Sequence, residues 1–132
     1  MREQGAGEYF VLEADGSAGI VHIRRTARPF KTIAELEAAF ELLALSIASV
    51  DRRYTGLLVD LRAGPMRNDP LFESALERHR KKITAGFRRV ALLVLTPLGM
   101  VQGERHARVD GIPYMVTTNE EAAHRHVKIE RG

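Results

Sequence analysis

Two stretches of the chain, Gly56-Leu57-Leu58-Val59-Asp60-Leu61-Arg62 and Arg89-Val90-Ala91-Leu92-Leu93-Val94-Leu95-Thr96, are nearly continuous apolar runs with no alternation. A strand with one face in water alternates apolar and polar residues. A run that is apolar throughout must be covered on both faces, which is the pattern of a parallel sheet with helices packed on it.

The rest of the sequence supplies those helices. Tyr9–Glu13 and Gly19–Arg24 are β-prone and flank the turn cluster Asp15-Gly16-Ser17, so they read as a hairpin. Thr32 with Glu35 three places on is a capping box that satisfies two orphan N–H groups. Leu36, Phe40, Leu43, Ile47 and Val50 then recur at helical spacing. Asp69-Pro70 opens a second helix, an N-cap acid before a proline at the first helical position, with Phe72, Leu76, Ile83 and Phe87 as its stripe. Pro97 to about Arg108 contains Gly99 and Gly103 and reads as a short, weak helix. Ile112–Thr117 reads as a last strand, its Pro113 favouring an edge or strand start. Thr118-Asn119-Glu120-Glu121 caps a final helix running to about Lys128.

The expected order is β-β-α-β-α-β-α-β-α: an α/β fold with a mixed, largely parallel β-sheet and four helices. No repeat or linker divides the 132 residues, so a single domain is expected. Its core spans about 9–128, with the first seven residues and the last three or four as loose ends.

The chain has no cysteine, which excludes a disulfide scaffold, a thiol nucleophile and a thiolate zinc site. No apolar run approaches the ~20 residues of a membrane span. Met1–Gly7 has no apolar leader, so a cytoplasmic location is expected. The net charge is +3, with acids and bases interspersed rather than gathered on one face, so no nucleic-acid partner is expected.

In open α/β sheets, ligands and partners meet the loops at the carboxyl ends of the parallel strands. Two such loops are Asp60–Pro70 and Thr96-Pro97-Leu98-Gly99, each feeding a helix N-terminus. With Arg62 and Arg67 beside one of these termini, the pattern suits a phosphate or carboxylate. The alternative is that Asp69 caps its own helix and the arginines are solvated or pair with nearby acids. Asp60 is either a general base or the hydrogen-bond anchor of its loop. No histidine or second acid lies at a useful spacing, which favours the anchor.

His79 falls on the apolar stripe and reads as a half-buried core residue. His124 and His126 point to different faces of their helix, and His22 and His106 have no partner visible in sequence. No metal ligand set and no cofactor is expected. The basic run Arg78-His79-Arg80-Lys81-Lys82 spreads around its helix without interleaved aromatics, so it reads as a solvated face. Phosphate-loop, GxGxxG, GxSxG and HExxH patterns are absent. Gly99 and Gly103 read as positions where a helix packs closely on the sheet.

The element order, with the runs at 56–62 and 89–96, Asp69-Pro70 and the Gly99–Arg105 segment, resembles the STAS domain, in particular its SpoIIAA-like branch of small stand-alone proteins. The resemblance implies a non-enzymatic bacterial regulator or adaptor, related to anti-sigma-factor antagonists, that acts in signal transduction by binding another protein. It also implies a phosphorylatable Ser or Thr in the loop after the Asp-bearing strand. Here Ala63–Pro70 contains neither, and Asp69 stands near the missing acceptor, carrying one charge where a phosphate carries close to two.

The expected partner-binding surface is Asp60, Arg62, Arg67, Asn68, Asp69, Thr96 and Gly99. Asp60 holds the loop, the arginines meet acidic groups and Asp69 caps the helix. On this expectation, replacing Arg62 and Arg67 by Ala removes partner capture and leaves the Tm nearly unchanged. The alternative function is a carrier of a small apolar ligand or lipid, in a cavity near Phe40, Leu76 and Phe87. An enzyme using Asp60 as base has the least support. The amino-terminal hairpin offers a free edge for a homodimer.

Overall fold

The computed structural model describes residues 2–5 (backbone), 7–16, 18–65 and 69–128. Six strands lie side by side in chain order: β1 (Arg2–Gly5), β2 (Phe10–Asp15), β3 (Ile20–Arg25), β4 (Gly56–Asp60), β5 (Arg89–Leu93) and β6 (Tyr114–Thr117). The pairs β1–β2 and β2–β3 are antiparallel, and β3 to β6 are parallel. The helices are α1 (Ile33–Ser46), α2 (Pro70–Thr84), α3 (Pro97–Asp110) and α4 (Glu120–Val127). The α/β architecture, the largely parallel sheet and the four helices are those the sequence predicts.

Parallel crossovers turn right-handedly, and successive crossovers moving one way across a sheet stack their helices on one face. That face carries α1, α2 and α3. Phe10, Leu12, Val21, Ile23, Leu57, Val90 and Leu92 project from the strands into a core with Leu36, Leu43 and Ile47 of the α1 segment and Phe72, Ala75 and Ile83 of α2. The alternate strand residues Ile20, Leu58, Ala91 and Leu93 form a second core under Ala123 and Val127 of α4. The two non-alternating runs are therefore covered on both sides, and Leu57, Leu58, Ala91 and Leu93 are wholly buried.

Three expectations change. Arg2–Gly5 is not a loose end but an edge strand on β2. An edge strand is held by backbone hydrogen bonds, which leave no side-chain signature in the sequence. This strand covers the β2 edge of the hairpin and is itself the outer strand on that side. The capping box is half formed: Glu35 N donates to Thr32 Oγ1 at 3.1 Å, while the Glu35 carboxylate accepts from Tyr9 Oη and the Thr32 hydroxyl.

The helix expected to be short and weak is fourteen residues long. A Cβ at Gly103 would stand 2.8 Å from Val116 Cγ1, and one at Gly99 would stand 3.2 Å from Val94 Cβ. The glycines thus cost helix propensity but let α3 approach the sheet. Gly111, with φ +70, ends that helix in the left-handed conformation. Among the described residues, no helix is long and apolar enough to cross a membrane.

Candidate functional site at the carboxyl edge of the sheet

Asp60 is the last residue of β4, and strand alternation turns it towards the α4 face. It is 3% exposed, and both carboxylate oxygens are engaged. Oδ1 accepts from Arg62 N and Arg62 Nε, each at 3.0 Å, and Oδ2 accepts from Arg62 Nη2 at 2.8 Å. The first bond turns the chain out of the strand, the anchoring geometry predicted for this residue. Arg62 Nη2 also donates to Glu120 Oε1 at 2.9 Å, tying the β4 loop to the first turn of α4.

Burial acts to raise the Asp60 pKa. The Arg62 hydrogen bonds and charge outweigh it and hold the carboxyl below its ordinary value. Bonding to Asp60 in turn raises Arg62. A carboxylate pinned on both oxygens by a guanidinium is a poor proton acceptor, which weighs against a general base. Arg62 meets its acidic groups within the chain, and the two carboxylates leave the cluster one negative charge.

The other expected surface residues share this end of the sheet on different elements. Asp69 caps α2, Oδ1 accepting from Leu71 N at 3.1 Å, and Thr96 Oγ1 caps α3 through Gly99 N at 3.0 Å. Both helices belong to the face opposite Asp60 and Arg62. Arg67 and Asn68 lie outside the described residues. The self-capped helix and the internally paired arginine are thus what the structure places at Asp69 and Arg62. Truncating Arg62 would leave Asp60 buried without its cation, which removes the expectation that this substitution leaves the Tm nearly unchanged.

Sequence reasoning passed over several residues here. Leu71, Leu95, Leu98 and Val101 are 70%, 68%, 59% and 62% exposed, on the first turn of α2, the first two turns of α3 and the loop before α3. Leu71 lies outside the stripe of Phe72 and Leu76, and Leu95 follows the end of β5; those offsets were the available signals. His22 is not without a partner. It meets His124 of α4 edge-on, with ring centroids 5.7 Å apart, and its buried Nε2 has no hydrogen bond. Burial lowers the His22 pKa against the pull of Glu13 and Asp60, and His124 and Arg24 add to the lowering.

His79 is half-buried and stacked on Phe40 at 5.3 Å, as its place on the stripe predicts. The basic run around it is not wholly a solvated face. Arg80 grips Asp110 of α3 through Nε at 2.6 Å and Nη2 at 2.8 Å, and the Asp110 side chain is fully buried. Tyr114 Oη donates to the same carboxylate, and burial with that charge pushes the phenol up to about 12. Phe40, Leu76 and Phe87, named for an apolar cavity, all belong to the main core. Among the described residues, no group of three His, Asp or Glu side chains is placed to hold a metal ion.

No protein-family model matches the chain, and no curated protein matches it. Among solved structures it is similar to an uncharacterized protein of the DUF3478 family, with a SpoIIAA-like fold, from Shewanella loihica PV-4. The two are 14% identical with a TM-score of 0.58, over 86% of this chain and 88% of that one. At that identity the likeness is one of fold, and the fold is SpoIIAA-like.

Proposed function

We propose that the chain is a non-enzymatic binding module whose partner is another protein, docked at the carboxyl edge of the parallel strands. The observation that carries this reading is the grouping of Leu71, Leu95, Leu98 and Val101, each more than half exposed, at that end. Among the described residues, the other four large exposed apolar side chains, Leu42, Leu45, Tyr54 and Val109, are spread over α1, the turn before β4 and the last turn of α3. Single exposed apolar residues are ordinary, but several at one end of a domain favour a docking surface. The Asp60–Arg62–Glu120 cluster borders it with its charges already matched to within one unit, so recognition falls mainly to the apolar side chains. Asp69 needs no phosphate to hold the start of α2, which supports a module that works without hydroxyl phosphorylation.

The test places a photocrosslinking residue at Leu98 and, as control, at Leu45, which is 75% exposed on α1. A discrete protein adduct in the native cell from position 98, absent from 45 and lost with Leu71→Ser, is the expected result. No adduct at 98, or equal labelling at both positions, overturns the reading. A lipid retained by the purified chain in native mass spectrometry would favour the apolar-ligand carrier instead.

A further inference from the structure

β3 ends in a buried cation that no carboxylate meets among the described residues. Arg24 points to the α4 face and pairs with Glu13 at 3.8 Å, so alternation sends Arg25 into the opposite face, where it is 8% exposed. Its guanidinium carbon lies 4.3 Å from the centroid of the Phe30 ring and 5.7 Å from those of Tyr9 and Phe10. Nη1 donates to the carbonyls of Tyr9 at 3.3 Å and Thr26 at 2.8 Å, which uses both of its hydrogens.

Nε and Nη2 have no acceptor among the described residues. Among the described residues, the wholly buried side-chain polar atoms without a hydrogen bond are Nε2 of His22 and of His79, so the Nε–Nη2 edge of Arg25 keeps contact with solvent. The loop after β4 runs along the arginine stem: a Cβ on Gly64 would stand 2.8 Å from Arg25 Cγ.

The balance at this position is unusual for a purely structural arginine. Burying a charge without a counter-charge is costly, and burial lowers the pKa of this group. Aromatic faces offset part of that cost for a cation over them. They do so without using the side-on pair of N–H donors, the edge that matches two oxygens of one anion.

We propose that Arg25 is the binding site for the carboxylate of a small molecule with an apolar body, held side-on by Nε and Nη2 with its body on Tyr9, the one ring of the three that is not buried. A single negative charge matches the single positive one. A phosphate dianion would leave one charge unmatched beside aromatic faces, which are themselves negative. Arg25 lies at the same carboxyl edge, at the end of β3, but this site uses none of Leu71, Leu95, Leu98 and Val101, the side chains on which the docking surface rests, so either proposal can fail without the other.

The test is a titration of the wild-type chain with phenylacetate, acetate and inorganic phosphate, read on the arginine Nε–Hε resonances by NMR, with Arg25 assigned through its own side-chain carbons. The expected result is a saturable shift of the Arg25 resonance with phenylacetate, with a Kd on the order of 1 mM. Acetate and phosphate should bind at least several-fold more weakly, and the exposed Arg53 should show no saturation. Arg25→Lys, which keeps the charge and loses the fork, should weaken phenylacetate binding about tenfold. An unmoved Arg25 resonance, a linear drift like that of Arg53, or tighter binding of phosphate each overturns the assignment. The wild-type titration decides the matter even if Arg25→Lys fails to fold.

Discussion

Gly56 opens β4 beneath the end of α4, and replacing it with alanine tests how that helix is held. Two effects oppose each other. Alanine restricts the unfolded chain more than glycine does, which by itself stabilises by about 0.4–1 kcal/mol where the backbone permits. Against this, a Cβ at position 56 would stand 1.9 Å from Val127 O and 2.8 Å from Val127 C. A carbon–oxygen contact settles near 3.3 Å, so the Val127 carbonyl has to retreat by about 1.4 Å. It is backbone, and no rotamer change relieves the clash. The end of α4 must lift, taking with it Val127 and, in part, Ala123, both fully buried.

Exposing a buried valine costs about 1.5–3 kcal/mol, and partial exposure of the alanine adds to that. The contact wins, and Gly56→Ala should destabilise by about 2–3 kcal/mol net. In a domain of this length that corresponds to a Tm lower by roughly 6–10 °C. Urea unfolding gives the free energy, and amide exchange localises the loss to α4. A variant as stable as the parent, or more stable, would refute the close approach of α4 to β4.

Arg62→Ala should cost about 1–2 kcal/mol in urea unfolding, less than a wholly buried pair because Arg62 is 37% exposed. Adding Asp60→Asn should return part of the loss; strictly additive costs would contradict the coupling. His22 is held neutral by burial, and His106 and His126 are lowered in the same direction. The unfolded chain therefore takes up protons near pH 6.5 before the folded one does. Stability should be full above about pH 6.5 and fall below it, with His22→Leu flattening the slope; a urea midpoint constant from about pH 7.5 to 5.5 would exclude this.

The central strands were legible because full coverage leaves a run without alternation, and the caps Thr32 and Asp69 were legible because they act within three residues of themselves. Long-range pairing of polar groups was not. Arg25, Arg52 and Arg80 look like surface charges in the sequence. Arg52 Nη1 instead meets the carbonyls of Lys82, Ile83 and Ala85 at the end of α2, and Arg80 locks Asp110 of α3. Whether an arginine faces water depends on strand parity and on which helix lies opposite, and neither appears in its local neighbours. At the candidate site, Asp60 as loop anchor followed from its place at the end of a buried strand. Its capture of Arg62, shared with Glu120, depended on where α4 returns over the sheet.

The order of strands in the sheet is the order of strands in the chain. Each strand from β2 onward joins the edge left by its predecessor, so no gap waits for a distant segment and each closure spans a single connection. During synthesis, every new strand meets a neighbour that has already emerged. Shortening the sheet from its β6 side takes away an edge and leaves the remaining ladder continuous. The layout suits a domain whose working end can be varied in its loops while the sheet beneath is assembled the same way each time.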